Sequence, residues 1–366
     1  MKIYEMTFRL LSPAIVTKRR TLRGYLSPLD YIPSSTIRGA ILAHLYRRGD
    51  LDEEMLRAEA SEPRVIASPG YPMSGGERSY PCHPFAYRCK ACGDEEGVNY
   101  ASEVLETLEG GREPSFKSTC ERGHLALQPL HPKPVIPRGK KLRKVGLHYH
   151  SAVCVGMSRD RASSHRGLLF DYEALAAGLE FWATLTIPGE LSRGVHRGMK
   201  IRIGRGVSRG FGLAEVTGLR CIKLEREADR VSESLRGRRL ILYAFSPTSR
   251  AVEEGFSTSN LGEIDLGEVA GRCGLEAGGK LRFIAGYGRT NRVQTGYDMM
   301  EGVIRPRLRA GQPGCVYVAE VEDGGGLEEA LTALSFLGTI EWIRGYPITG
   351  VNLLTPLRGH PMAGGG

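Results

Sequence analysis

Nine residues, Gly204-Arg205-Gly206-Val207-Ser208-Arg209-Gly210-Phe211-Gly212, carry glycine at the first, third, seventh and ninth positions. This spacing constrains the fold more than any other feature of the chain. Glycine lets the backbone turn with positive φ and lets another backbone or a ligand approach closely. The dinucleotide fingerprint is excluded, because it runs from a strand into a helix; here a strand-like stretch, Gly212 to Leu219, follows. A Walker loop is excluded as well, since no Gly-Lys-Ser/Thr closes the run. Arg202, Arg205 and Arg209 interleave with the glycines as phosphate donors, Ser208 adds a hydroxyl, and Phe211 offers a face on which a base can stack. The bland alternative is a tight hairpin with no ligand.

Charge favours the first reading. The chain has 366 residues and a formal net charge of +9. Between His131 and Arg220 stand sixteen Lys/Arg against six Asp/Glu, a surplus of ten, which leaves −1 for the other 276 residues. A local surplus points to a polyanion, nucleic acid first, although a solvated basic face gives the same count. Within it, Arg138-Gly139-Lys140-Lys141-Leu142-Arg143-Lys144 holds five cations in seven residues, just before His148-Tyr149-His150. Cations this dense repel one another unless solvated or matched to phosphates. Lys18, Arg19, Arg20 and Arg23 in an early loop, and Arg159, Arg161, His165 and Arg166 later, extend the candidate surface.

Periodicity organises the rest. Lys2 to Leu11 reads as a strand, with Ile3, Met6, Phe8 and Leu10 broadly on one face. After the basic loop, Asp30-Tyr31-Ile32-Pro33-Ser34-Ser35-Thr36-Ile37-Arg38-Gly39 opens a helix capped by Ser34 or Ser35, with Ile37, Ile41, Leu42 and Leu45 as its apolar stripe and an end near Gly49. A strand, a long loop and a capped helix open a ferredoxin-like unit, and other α+β folds too. Residues 81–137 read as a loop-like insertion too polar to build its own core. Leu179 to Ile187 is a strand, and Lys223 to Gly237 a helix or linker. A second unit begins near Arg238, with strands at Arg239 to Phe245, Leu281 to Ala285, Cys315 to Val321 and Thr339 to Ile343, and a helix at Leu327 to Leu337. The expected class is α+β in two units, 1–225 and 237–366. With 41% hydrophobic and 25% charged residues the chain is not disordered, and no run approaches the roughly 18 apolar residues of a spanning helix. The N-terminus lacks a signal-peptide pattern, so no membrane association and a cytoplasmic location are expected.

The insertion carries a second chemistry. Cys89-Lys90-Ala91-Cys92-Gly93 is a knuckle whose two thiolates can reach one Zn²⁺, and Cys120-Glu121-Arg122-Gly123-His124 supplies a thiolate and an imidazole. A closed Cys₃His set predicts structural zinc, with Cys82 and His83 as spare ligands. Cys154, Cys221, Cys273 and Cys315 sit in strand-like contexts and are expected to be buried and inert.

Together the glycine loop, the Asp30 to Gly39 segment and the arginine-rich context resemble the RAMP superfamily of CRISPR-associated proteins. The stretch His148 to Trp182, with Ser158-Arg159-Asp160-Arg161 and Gly167-Leu168-Leu169-Phe170-Asp171-Tyr172-Glu173, resembles its type III-D subunit related to the 5′-handle-capping group. The resemblance spans roughly Met1 to Arg220 and weakens beyond. It implies ferredoxin-like (RRM-like) domains, so that the expected fold is two such domains with the zinc-binding insertion read above in the first, and a non-catalytic subunit that binds CRISPR RNA through residues 204–212. It also implies, as partners, a large polymerase/cyclase-like subunit and RAMP backbone subunits, with target RNA met indirectly. The enzymatic alternative is an endoribonuclease with His44, His148 or His150 as general base, or target-RNA cleavage by Asp30. His44 on the helix and Asp30 beside Tyr31-Ile32-Pro33 have equally natural structural roles.

Overall fold

The computed structural model describes residues 1–20, 26–93, 96–157, 164–235, 237–252, 255–257, 261–294, 296–298 and 302–364. Two antiparallel sheets organise the α+β chain. In the first, the strand Lys2–Leu10 is central, flanked by Glu180–Ile187 on one side and Leu213–Ile222 on the other. Lys200–Arg202 pairs beyond Leu213–Ile222, and Ile66–Ala67 and Tyr71–Ser74 pair beyond Glu180–Ile187. Strict alternation places Met6, Phe8 and Leu10 in the core with Phe181, and Tyr4 packs against them. Ile3 is out of phase and lies outside this core, on the side of the buried Glu5, whose carboxylate is held by Arg78 and Arg220.

The helix Ser34–Arg48 covers that sheet with Ile37, Ile41, Leu42 and Leu45, and ends at Gly49 in the left-handed conformation. Pro33, not a serine, occupies its N-cap position. The Ser34 hydroxyl instead donates to the Gly350 carbonyl at 3.0 Å, tying the helix start to the second half of the chain.

In the second sheet the order is Glu263–Asp265, Gly279–Tyr287, Val316–Asp323, Arg239–Ala244, Leu354–Pro356, every neighbouring pair antiparallel. The helices Leu266–Gly271 and Leu327–Leu337 bury Leu266, Val269, Leu331 and Leu334 against it, and Leu224–Ser234 adds Val231. Counting Arg239–Ala244, Gly279–Tyr287, Val316–Asp323 and Leu354–Pro356 as strands one to four, they lie in the order 4-1-3-2.

The insertion departs from the sequence reading. It is no loop: six short strands from Tyr80–Pro81 to Lys141–Lys144 form a sheet, and the helix Ala101–Glu109 packs on it. Its core is shared, with Phe85, Ala86, Leu105 and Val135 meeting Tyr243, Phe245, Val316 and Leu353 of the second half. Alternation is short in such small strands, and their apolar partners lie more than a hundred residues away. Tyr71 donates to the Phe245 carbonyl at 2.6 Å, Tyr243 to Pro81 at 2.5 Å, and the Asn99 amide to Met362 at 3.0 Å. Among the cysteines outside the insertion, Cys315 is buried, Cys273 half-buried in a turn and Cys221 exposed, contrary to expectation for the last; the side chain of Cys154 lies outside the described residues. Among the described residues no helix is long and apolar enough to cross a membrane.

Candidate nucleic-acid interface

The glycine run is the tip of a hairpin between Lys200–Arg202 and Leu213–Ile222. Gly204, Gly206, Gly210 and Gly212 all have positive φ, between 73° and 88°. Two of them also allow close backbone approach. A Cβ on Gly204 would stand 2.4 Å from the Ile15 carbonyl oxygen, and one on Gly212 1.9 Å from that of Ile203. The loop is thereby laced to the segment after the first strand: the Arg205 amide donates to Ile15 at 3.0 Å and the Gly212 amide to Pro13 at 2.8 Å. The amides of Arg209, Gly210 and Phe211 are bonded to carbonyls within the loop. At these five positions the amides hold the loop's shape and do not point to a phosphate, so ligand contact there falls to side chains. Arg202, whose Nη1 donates to the Val207 carbonyl at 3.2 Å, Arg205, Ser208 and Arg209 are exposed. The Phe211 ring folds back over Gly206.

The contrast between glycines gives a test. Gly212→Ala meets both a backbone clash and a strained φ and is expected to cost about 3 kcal/mol or more. Gly210→Ala, with open space around its Cβ position, is expected to cost only about 1–2 kcal/mol. Denaturant melts of the two variants check the ranking.

A groove of about 1060 Å³ runs beside this loop. Its walls come from Gly204 to Val207, the Pro28 to Tyr31 segment, the exposed face of the first helix, and residues 291–293 of the second half. Six arginines line it against two acids, Asp30 and Glu59. Arg38, a candidate RNA contact from the sequence, lines the groove with its guanidinium held by neighbours. Its Nε donates to the Val65 carbonyl and its Nη2 to the Glu59 carboxylate, at 2.7 and 2.8 Å, and the side chain is 11% exposed. Arg202, Arg205, Arg47 and Arg292 keep the groove cationic. Tyr46, also lining it, is 46% exposed and presents an aromatic face to it. Arg47 and Arg292 were not legible as site residues, since neither belongs to a charged run.

Asp30 faces the groove and accepts the Tyr149 hydroxyl at 3.0 Å. His44 does not: its Nδ1 meets the Lys200 carbonyl at 3.2 Å on another face of the helix, and burial holds its pKa below the usual imidazole value. His148 and His150 are exposed beside Tyr149.

Three of the five cations of the basic run are ion-paired, two of them to one carboxylate. Arg138 and Arg143 both grip Glu77, at 2.7 and 2.8 Å, and Lys141 pairs with Glu96 at 3.2 Å. Among the described residues Lys140 and Lys144 have no ion pair, and the adjacent Lys133 holds the Lys144 ammonium below the ordinary lysine range. Of the early loop, Lys18, Arg19 and Arg20 are described as backbone only and Arg23 lies outside the described residues. Arg159 and Arg161 lie outside them too, as do the side chains of His165 and Arg166.

The cysteine set is brought together as the spacing required. The donor atoms of Cys89, Cys92, Cys120 and His124 all lie within 4.8 Å of one another. Gly93 and Gly123, at φ 71° and 81°, close the two knuckles. Cys92 Sγ is 3.7 Å from Cys120 Sγ, and His124 Nδ1 is 3.7, 3.3 and 3.5 Å from the three sulfurs. A tetrahedron with metal–sulfur bonds of about 2.3 Å and metal–nitrogen of about 2.05 Å has edges of about 3.8 and 3.6 Å. The four donors therefore fit one tetrahedral ion. Cys82 is excluded as a spare ligand: it is fully buried in the insertion core and burial pushes its thiol pKa far up. His83 is excluded as well, bonded through Nε2 to Asn99 at 3.0 Å.

The fold belongs to a class also found in CRISPR effector subunits. No protein-family model matches the chain, and no curated protein matches it in sequence. Among solved structures, a chain of the type III-B Cmr-beta complex bound to cognate target RNA shares 13% identity over 86% of both chains, with a TM-score of 0.50. The same complex with target RNA and AMPPnP gives 12%, 86% of both chains and 0.49. Oligomeric Cmr4 from Pyrococcus furiosus gives 10%, 61% of this chain, 100% of the other and 0.26. At these identities the likeness is one of fold.

Proposed function

We propose that this chain is an RNA-binding subunit of a type III CRISPR effector, and that it holds single-stranded CRISPR RNA in the groove beside the glycine loop. The observation that carries the reading is the groove itself, lined by six arginines against two acids. Arg205 and Arg202 meet phosphates, and Tyr46 offers a stacking surface. The loop's internal hydrogen bonds fix where those arginines start, so little ordering remains to be done on binding. The RNA segment is the 5′ handle, and the neighbours are the large polymerase/cyclase-like subunit and the RAMP backbone subunits. The 4-1-3-2 strand order of the second sheet supports a ferredoxin-like unit there. The Cys₃His set takes Zn²⁺, which holds two remote turns together when bound. The role is binding without catalysis: Asp30 is engaged by Tyr149, and His44 faces away from the groove.

Arg202→Ala combined with Arg205→Ala is expected to weaken binding of single-stranded RNA about tenfold for each arginine, the scale of one charge-assisted hydrogen bond. The slope of log affinity against log salt should fall by about 1.4, or 0.7 per lost phosphate contact. Fluorescence anisotropy over a salt series reads both. Unchanged affinity and slope would remove the groove from the account.

A further inference from the structure

The hairpin formed by Thr290–Gln294 and Arg307–Gly311 in the second half has an amphipathic construction that the reading above does not use. On one face Val293 is directly opposite Leu308 and Asn291 opposite Ala310; Leu308 and Ala310 are buried against Ile343, Ile348 and Val351. Alternation sends Arg292, Arg307 and Arg309 to the other face. Arg292 stands directly across from Arg309. Like charges directly opposite on an antiparallel pair destabilise it. Among the described residues neither Arg292 nor Arg309 has an ion pair, and both are exposed. Arg292 lines the same groove as Arg205.

We infer that the arginine face of this hairpin is a second phosphate-binding surface, so that single-stranded RNA is held between one jaw from each half of the chain. The inference rests on the RNA-binding reading of the groove. An anion bridging Arg292 and Arg309 relieves the repulsion built into the hairpin, while the apolar face keeps the hairpin anchored. The Ser34 to Gly350 hydrogen bond joins the start of the first helix, which lines the groove, to the strand next to that anchor, and so sets the distance between the jaws.

The test compares full-length native protein with Arg292→Ala/Arg309→Ala and Arg292→Lys/Arg309→Lys, using labelled single-stranded oligouridylate. The alanine pair is expected to bind about tenfold more weakly for each arginine lost and to lower the salt slope by about 1.4, with a melting temperature unchanged or raised. The lysine pair should keep the slope. If the alanine pair binds as the native protein does while Arg202→Ala/Arg205→Ala loses affinity, the second jaw is overturned and the groove reading stands. If neither pair changes binding, both fall. A lower melting temperature with unaltered salt slope assigns the arginines a structural role and also overturns the inference. Retained RNA binding with loss of an acidic protein partner overturns it in favour of a protein interface.

Discussion

Lowering the pH from 8 to 5 is expected to remove about 4 kcal/mol of stability through two buried histidines, about 2 kcal/mol from each. Burial depresses the pKa of His83 and of His131 to about 4. Hydrogen bonding explains why neither ring takes a second proton. The Arg289 amide donates to His131 Nε2 at 3.1 Å while Nδ1 donates to the Cys82 carbonyl at 2.6 Å. In His83 the Phe85 amide donates to Nδ1 at 3.2 Å and Nε2 donates to Asn99. Protonation therefore breaks a backbone hydrogen bond as well as burying charge. His360, lying against the rings of Tyr80 and Tyr243, is held to about 3 by burial and then by His83, and adds in the same direction.

Because the folded pKa lies below the ordinary 6.5, the unfolded chain binds protons that the folded chain excludes. The stabilisation is full above pH 6.5 and is lost as pH falls from there towards 4. Urea melts at several pH values measure it. His131→Gln cannot titrate and should recover one histidine's share of the pH dependence, about 2 kcal/mol. Since that variant keeps the cysteine cluster, the difference separates the histidine from metal release. Equal pH slopes in the two proteins would contradict the account. The region that opens first should be the contact between the insertion and the second half, because His131 bonds to both.

Removing the metal ligands is the second large perturbation. Cys92→Ser is expected to lower bound zinc from about one ion per chain to none, in keeping with the single donor cluster found among the described residues. Structural zinc in small fingers contributes an apparent 10 kcal/mol or more. Here the loss should be local, because Phe85, Leu105 and Val135 anchor the insertion independently of the cysteines. The exposed segment 111–119, which has no helix or strand, becomes the expected site of rapid proteolysis. Metal retained in the variant would show that these four side chains do not hold an ion, and proteolysis unchanged after its loss would show that the ion does not order the 111–119 segment.

The arginines of the glycine loop and of the hairpin differ in how far the sequence announced them. Arg205 sits among glycines whose spacing is rare enough to mark a site. Arg292 and Arg309 lie in short alternating segments that look like any surface strand until their register is known. The ion pairs of the basic run at 138–144 were not readable in advance: Glu77 lies some sixty residues earlier in the chain, and only the folded insertion brings it to Arg138 and Arg143.

The sequence by itself determined the local geometry. Cysteines separated by two residues with a closing glycine favoured a knuckle, and glycines at 204, 206, 210 and 212 favoured turns with positive φ, because both constraints act over a few bonds. Tertiary structure alone decided which groups face one another. It paired Arg38 with Glu59, tied the Arg205 and Gly212 amides to the Ile15 and Pro13 carbonyls, enclosed three histidines, and brought Arg292 to the groove beside the glycine loop. Those outcomes depend on packing between segments a hundred or more residues apart, or on side chains whose charge is either exposed or matched only once the sheets have closed.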